Sequence, residues 1–320
     1  MYKIKQNPED FIVKEINSID INDSGKYLVC LLKKRNYNTI RAVQQIANVL
    51  SINVKHIGFA GAKDKNAITE QYISITGVKK DKVKGIKLKD IELEFVGYSS
   101  APISLGDLKG NEFIINVRDL TNKEIEKVES KLKGKLLMPN YYGEQRFSKD
   151  NVQIGRNLIK SKFKESVELI LKTDPDCKED MNEHLRVHKN DFIGALNILH
   201  KKLLMMYVHA YQSYLWNKCL DAYLKKSKKD IKLPLIGFGT EIEDDAVEEI
   251  IDDVMEEEGI TFRSFINKQI SVLSPEGAER NAFVEIENLE ILEKGEDFVK
   301  ISFNLSKSSY ATIAISFLLD

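Results

Sequence analysis

With 320 residues, 42% of them hydrophobic, the chain carries enough apolar material for one large or two ordinary domains. No apolar run reaches the ~18 residues of a membrane span, and the opening Met1-Tyr-Lys-Ile-Lys-Gln-Asn-Pro8 lacks the apolar stretch of a signal peptide, so a cytoplasmic protein is expected. The net charge of -1 speaks against a uniformly basic nucleic-acid binder, and the scattered Cys30, Cys177 and Cys219 form no C-x-x-C pair, which suggests neither a disulfide framework nor a zinc knuckle.

Charge is nonetheless unevenly distributed. Lys79, Lys80, Lys82, Lys84, Lys87 and Lys89 crowd one segment, whereas residues 241–258 are strongly acidic. Such a lysine run reads as a solvated face or as a docking surface, and the acidic stretch would turn away from phosphates.

In chain order, Pro8 and Asp10 predict a turn, and Phe11, Val13 and Ile16 begin a strand. Gly25 to Lys33 is a mostly apolar strand buried on both faces, and Asn38 or Thr39 caps a helix whose Ile40, Val43, Ile46, Ala47 and Leu50 repeat at helical spacing. Next comes Ile57-Gly-Phe-Ala-Gly-Ala-Lys-Asp-Lys-Asn-Ala-Ile-Thr-Glu-Gln-Tyr-Ile-Ser-Ile75. Here two glycine turns, at Gly58 and Gly61, precede Lys63-Asp64-Lys65, and Gln71 to Ile75 alternates as a strand. Asp64 between two lysines is kept ionised and available as a nucleophile or charge stabiliser. A bare Lys-Asp-Lys triplet is equally a solvated turn.

Asp90 to Gly97 alternates as a strand, and Gly106 and Gly110 bracket a tight loop that feeds a further strand, Phe113 to Val117. The loop lacks the spacing of a phosphate-binding P-loop. On this segment alone Asn111 and Phe113 read as a turn asparagine and a core phenylalanine. Leu120 to Leu136 reads as an amphipathic helix opened by a capping box of Thr121 and Glu124. From about Asp150 to Asn281 the chain reads as helices with charged faces, with Asp191 as a cap. His184 and His188 stand at i, i+4 but lack an apparent third metal ligand. Two alternating strands, Glu285 to Leu292 and Asp297 to Leu305, precede the closing segment from Ser306 to Ile315.

Five stretches, in order, carry a resemblance to the TruD family of tRNA pseudouridine synthases. They are Lys5 to Glu15 (K-x-x-P-x-D-F-x-V-x-E), Ala60 to Gln71 (A-G-x-K-D-[KR]-x-A-x-T-x-Q), Leu105 to Phe113 (L-G-x-[LH]-x-G-N-x-F), Pro139 to Phe147 (P-N-Y-[FY]-G-x-Q-R-F) and Phe303 to Thr312. A segment of lysine, asparagine and threonine before the first helix also matches. Departures from the family pattern are Ser148 for a glycine, Ser306 for proline, Ser308 for glycine, and Ile315-Ser316 for Arg-Glu.

The resemblance implies an α+β fold. A catalytic domain with a mixed, mainly antiparallel sheet is built from residues 1–136 and 284–320, and an inserted α/β domain spans 137–283. It implies Asp64 as the catalytic residue, with Lys5 beside it, and Phe11, Asn111, Phe113 and Tyr310 around the target uridine. Lys63, Lys65, Asn140 and Arg146 are RNA-facing or supporting, with bracing bonds the alternative for the last two. The substrate is tRNA, commonly its uridine at position 13, and the protein is a monomer. Breaking C1′–N1 and rejoining the uracil through C5 is redox-neutral, so no cofactor or metal is implied. The positive charge that develops on the sugar is met by an adjacent carboxylate, as in glycoside hydrolysis. The competing expectations are a non-catalytic tRNA-binding or chaperone protein of the same fold, and a helix-rich interaction module using the acidic segment.

Overall fold

A mixed sheet carries the first part of the chain and the last. The computed structural model describes residues 2–84, 86, 88–147, 150–173 and 177–320, and Lys87 and Ser148 lie outside them. The chain divides into two compact units, one of Met1–Met138 with Val284–Asp320, the other of Pro139–Phe283.

Unit 1 runs β1 (Phe11–Asn17), β2 (Tyr27–Arg35), α1 (Thr39–Leu50), β3 (Ile57–Phe59), β4 (Ile68–Ile75), α2 (Lys80–Lys84), β5 (Ile91–Ser99), β6 (Leu108–Arg118), α3 (Asn122–Ser130) and β7 (Leu136–Pro139). Unit 2 adds α4 (Asn151–Ile159), α5 (Phe163–Thr173), α6 (Lys178–Val187), α7 (Phe192–Ile198), α8 (Lys201–Lys226), β8 (Lys232–Leu235), α9 (Asp245–Glu258) and β9 (Ala278–Asn281). The chain then returns through β10 (Phe283–Lys294), β11 (Phe298–Ser306) and α10 (Ala311–Leu319). Among the described residues the large sheet has the order β5-β2-β4-β1-β6-β11-β10-β7, with β3 paired to β4. The β1–β4 pair is parallel, while β1–β6, β6–β11, β10–β11, β2–β4, β2–β5 and β3–β4 are antiparallel.

Strand alternation sends Phe11, Val13 and Glu15 to one face, and the register sets them in rows with residues of β6 and β11. Val13 lies opposite Phe113, which lies opposite Phe303, and Glu15 lies opposite Asn111, which lies opposite Leu305. Phe11, Val13, Phe113, Phe303 and Leu305 of these rows join one core with Ile115, Ile301, Ile125, Ala314 and Leu318. A second core packs Val43, Ile46, Ala47 and Leu50 of α1 against Leu28, Cys30 and Leu32 of β2 and Ile73 and Ile75 of β4.

Local signals account for several boundaries. Asn38 caps α1 by accepting from Ile40 N and Arg41 N, and Thr121 and Glu124 form the expected capping box on α3. Other expectations are corrected. Ile40 lies on the solvent side of α1, since the buried stripe starts at Thr39 and Ala42. The helix from Leu120 ends at Ser130, and the chain turns through Gly134 at φ +96°, a conformation glycine adopts without a Cβ clash, before β7. Gly58 and Gly110 are not turn residues but strand positions. A Cβ on either would stand 2.2 Å from a backbone oxygen, of Ile103 and of Leu305 respectively.

Unit 2 packs around α8, whose Tyr207, Tyr211, Leu215, Trp216 and Leu220 are buried, with β8 and β9 as a two-stranded ribbon. The acidic segment becomes α9, which buries Val247, Ile250, Ile251, Val254 and Met255 and, of its acidic residues, turns only Glu258 inward. Its last residue, Glu258, is buried under Arg156 Nε (3.0 Å), Lys218 Nζ (3.3 Å) and Tyr211 Oη (3.1 Å). Burial raises the Glu258 carboxyl, but these partners bring it below the usual carboxylate range. His184 Nε2 lies 2.9 Å from Asp191 Oδ2, and Asp191 caps α7 through Gly194 N. No group of three or more metal-ligating side chains forms among the described residues, and no helix there is long and apolar enough to cross a membrane.

Candidate active site

The connection from β3 to β4 carries Asp64, and buried polar side chains hold it from below. Lys63 N donates to Thr39 Oγ1 at 3.0 Å, Thr39 Oγ1 donates to Gln71 Oε1 at 3.1 Å, and Gln71 Nε2 donates to Gly61 O at 3.0 Å. Lys34, on β2 and only 2% exposed, donates from Nζ to Asp64 O at 2.7 Å. Burial pulls the Lys34 ammonium down from 10.5 to about 8, opposed by the charge of Asp64 and assisted by that of Lys63. The backbone at the candidate catalytic residue is therefore tied to two neighbouring elements, and the carboxylate projects from a fixed base.

The lysines flanking Asp64 do not neutralise it. Lys63 turns inward, placing Nζ 2.7 Å from Glu15 Oε2 and donating to Asn111 Oδ1 at 2.9 Å. Glu15 is the cross-strand partner of Asn111, has a fully buried side chain, and accepts from Tyr72 N at 3.2 Å through Oε1. Lys65 is exposed. The cation at the carboxylate is Lys5, with Nζ 3.3 Å from Asp64 Oδ1 and 3.9 Å from the centre of the Phe11 ring. Lys5 has φ +60°, an uncommon left-handed conformation for a residue with a side chain. It lies between two anchors: the pairing of Lys3 with Arg118 and the turn closed by Asp10. Burial raises the Asp10 carboxyl, but Arg118, the Asn7 N–H and Asn116 hold it below the usual range.

Asp64 opens into a groove of about 360 Å³, lined also by Val13, Gly61, Gly106, Leu108, Asn111, Phe113, Lys307 and Ser308. That volume falls within the range of small-ligand sites. Phe113 forms part of the lining with little free area, because Phe303 stacks on it (5.6 Å between centres, 28° between planes) and Phe11 meets it edge-on at 6.1 Å. Because Asn111 Oδ1 accepts from Lys63, the group it can offer a ligand is its amide N–H, suited to a carbonyl oxygen. Tyr310, at the N-cap of α10, is outside the lining residues. A second opening of about 350 Å³ beside β2 is lined by Lys33, Lys34, Arg35, Glu70, Asp90 and Glu92, three cations and three anions.

Asn140 and Arg146 belong to unit 2, where they brace it. Asn140 Nδ2 donates to Asn281 O at 3.1 Å, its Oδ1 accepts from Arg280 Nη2 at 2.6 Å, and Arg146 Nε donates to Ser213 Oγ at 3.2 Å. Ile315 is buried in the core of unit 1. Sequence reading missed Glu15, Lys34, Thr39 and Gln71 as parts of the site. Glu15 and Gln71 close two of the quoted motifs, and Lys34 and Thr39 lie in the matching segment before the first helix, which were the available signals.

The groove thus brings together a carboxylate on a clamped loop, one ammonium beside it, an amide and an aromatic ring. The profile of "tRNA pseudouridine synthase D (TruD)" matches residues 2–183, 175–229 and 221–316. The tRNA pseudouridine synthase D of Aquifex aeolicus is 30% identical over 372 residues, covering 98% of this chain and 97% of its own. A relative from Nanoarchaeum equitans is also 30% identical, with 98% and 97% covered. The crystal structure of the Methanosarcina mazei TruD protein superposes with a TM-score of 0.76 at 27% identity, covering 99% of this chain and 93% of the other. The chain belongs to the TruD family of tRNA pseudouridine synthases, which are isomerases.

Proposed function

We propose that this tRNA pseudouridine synthase acts through Asp64 on an everted uridine of tRNA, at position 13, as a cytoplasmic monomer. The observation that carries the assignment is the single groove that Asp64, Asn111 and Phe113 share, with Lys5 held at 3.3 Å from the carboxylate. The reaction cleaves C1′–N1, turns the uracil and forms C1′–C5; the proton leaves C5 and N1 gains one, with no net oxidation. Asp64 meets the positive charge that develops on the ribose, by attack at C1′ or electrostatically, or else begins the reaction by taking a sugar proton. Lys5 orients the carboxylate. Asn111 gives an N–H to a uracil carbonyl, Phe113 forms the apolar floor with Phe11 packed behind it, and Tyr310, beyond the lining residues, contacts the bound nucleotide. The exposed Lys65 meets phosphate, while Lys63 spends its charge on Glu15 and so supports the groove from within.

Carbodiimide mapping of pseudouridine in tRNA, incubated with and without protein, tests the reading. The wild type is expected to convert position 13. Asp64→Asn is expected to convert nothing while retaining tRNA affinity, and normal turnover by Asp64→Asn would overturn the assignment of this residue.

A further inference from the structure

The most exposed large apolar side chain among the described residues is Leu105, with 75% of its surface open to solvent. Single exposed leucines are common and need no explanation by themselves. Two features set this one apart. It stands at the rim of the Asp64 groove, since Gly106 and Leu108 line that groove. It also stands on a braced turn. Gly106 N donates to Ala60 O at 2.8 Å, Ser104 N to Asp107 Oδ2 at 2.7 Å, Leu108 N to Gly106 O at 2.8 Å, and Lys307 Nζ to Gly106 O at 3.1 Å. Gly106 has φ +95°, so the turn uses the conformation that glycine permits.

A turn fixed to this extent does not fold its leucine back onto the protein. The side chain is held out in water beside the groove, next to the exposed Lys307 that reaches Gly106 O, with Asp107 and Lys109 also exposed along the turn and the strand it feeds. An apolar side chain on a rigid mount is what proteins use to enter a base stack, with nearby lysines free to meet the flanking phosphates.

We propose that Leu105 is a wedge for tRNA: it enters the base stack where the target uridine leaves and keeps that nucleotide everted over Asp64. The assignment rests on the pseudouridine synthase reading above and adds to it a residue that reshapes the substrate. Burying a leucine and lifting one base from its stack have free energies of the same order, so a single side chain suffices to offset most of the eversion. Leu105 is a positioning residue here and takes no part in bond making.

The test is single-turnover tritium release from C5-labelled uridine with the full-length protein and two tRNA transcripts. One is intact, and in the other the nucleotide on which the mapped uridine stacks is abasic, so that the uridine is already loosened. Leu105→Ala is expected to slow the intact transcript by about 10- to 100-fold, to slow the abasic transcript by less than about 3-fold, and to leave tRNA affinity nearly unchanged. Leu105→Met is expected to restore most of the rate. A Leu105→Ala rate within about 2-fold of wild type on the intact transcript, or an equal loss on both, overturns the wedge while the synthase reading stands. Absence of pseudouridine from both transcripts with wild-type protein overturns the synthase reading and the wedge with it.

Discussion

Replacing Lys34 by methionine separates what this buried ammonium contributes to the site from what it costs the fold. Its folded pKa, about 8, lies below the 10.5 of an exposed lysine. Below pH 8 both folded and unfolded chains hold the proton, and the folded state bears the full burial penalty, about 3 kcal/mol at 1.36 kcal/mol per pH unit. Between pH 8 and 10.5 the unfolded chain binds more protons, so this group makes unit 1 more stable as pH rises. Lys34→Met removes that dependence and also removes the donor to Asp64 O, at about 1–3 kcal/mol for a carbonyl left unpaired. The two effects nearly cancel at pH 7, so stability there is expected to change by no more than about 2 kcal/mol. Relative to the variant, the wild type should gain about 3 kcal/mol from pH 7 to pH 10.5. Cys30 is the one cysteine in unit 1 and is fully buried, so its pulse alkylation in urea reports unit 1, while the fluorescence of the only tryptophan, Trp216, reports unit 2. Isomerisation should fall by at least about 100-fold at pH 7, since Asp64 loses its backbone anchor. Parallel pH courses for the two proteins, or a wild-type rate in Lys34→Met, would refute the reasoning.

Glu258→Ala leaves Arg156 and Lys218 without their buried partner and is expected to cost unit 2 about 3–5 kcal/mol, read from the Trp216 transition in urea. Because the Glu258 carboxyl is held below its usual range, its stabilisation is complete above about pH 4.3 and is lost as pH falls through its folded value; acid titration of the same transition in Glu258→Gln should lack that loss. Gly110→Ala drives a Cβ against Leu305 O and should lower the urea midpoint reported by Cys30 while leaving the Trp216 midpoint in place.

Features decided by neighbouring residues were legible in the chain. The Asn38 cap, the Thr121–Glu124 box and the alternation in β4, β5, β10 and β11 depend on contacts a few residues apart, and the Asp64 loop stood out by the length and mixed chemistry of its motif. What supports that loop was not legible. Lys34 reaches residue 64, Thr39 reaches Gln71, and Glu15 reaches Lys63 and Tyr72, each across a separation that only the folded sheet closes. Of the charges around Asp64, the resemblance placed Lys5 beside it, as found, whereas the local reading of Lys63 and Lys65 failed for the same reason. Proximity in sequence pointed to Lys63 and Lys65, but strand pairing gives Lys63 a buried carboxylate to meet and leaves Lys5 for Asp64. Gly58 and Gly110 read as turns because a glycine required by a crossing backbone is indistinguishable in sequence from one required by a bend.

The seating of β11 against β6 has a consequence for how the protein is made. By the time Phe303 leaves the ribosome, β1 to β6 have been outside it for on the order of ten seconds or more at ordinary elongation speeds. Until then β6 has one side without its neighbouring strand, and the ring of Phe113 lacks its stacking partner. A nascent chain halted before its final forty or so residues would therefore display an open, adhesive strand and a groove without a back wall. Chaperone capture should concentrate in that interval of synthesis.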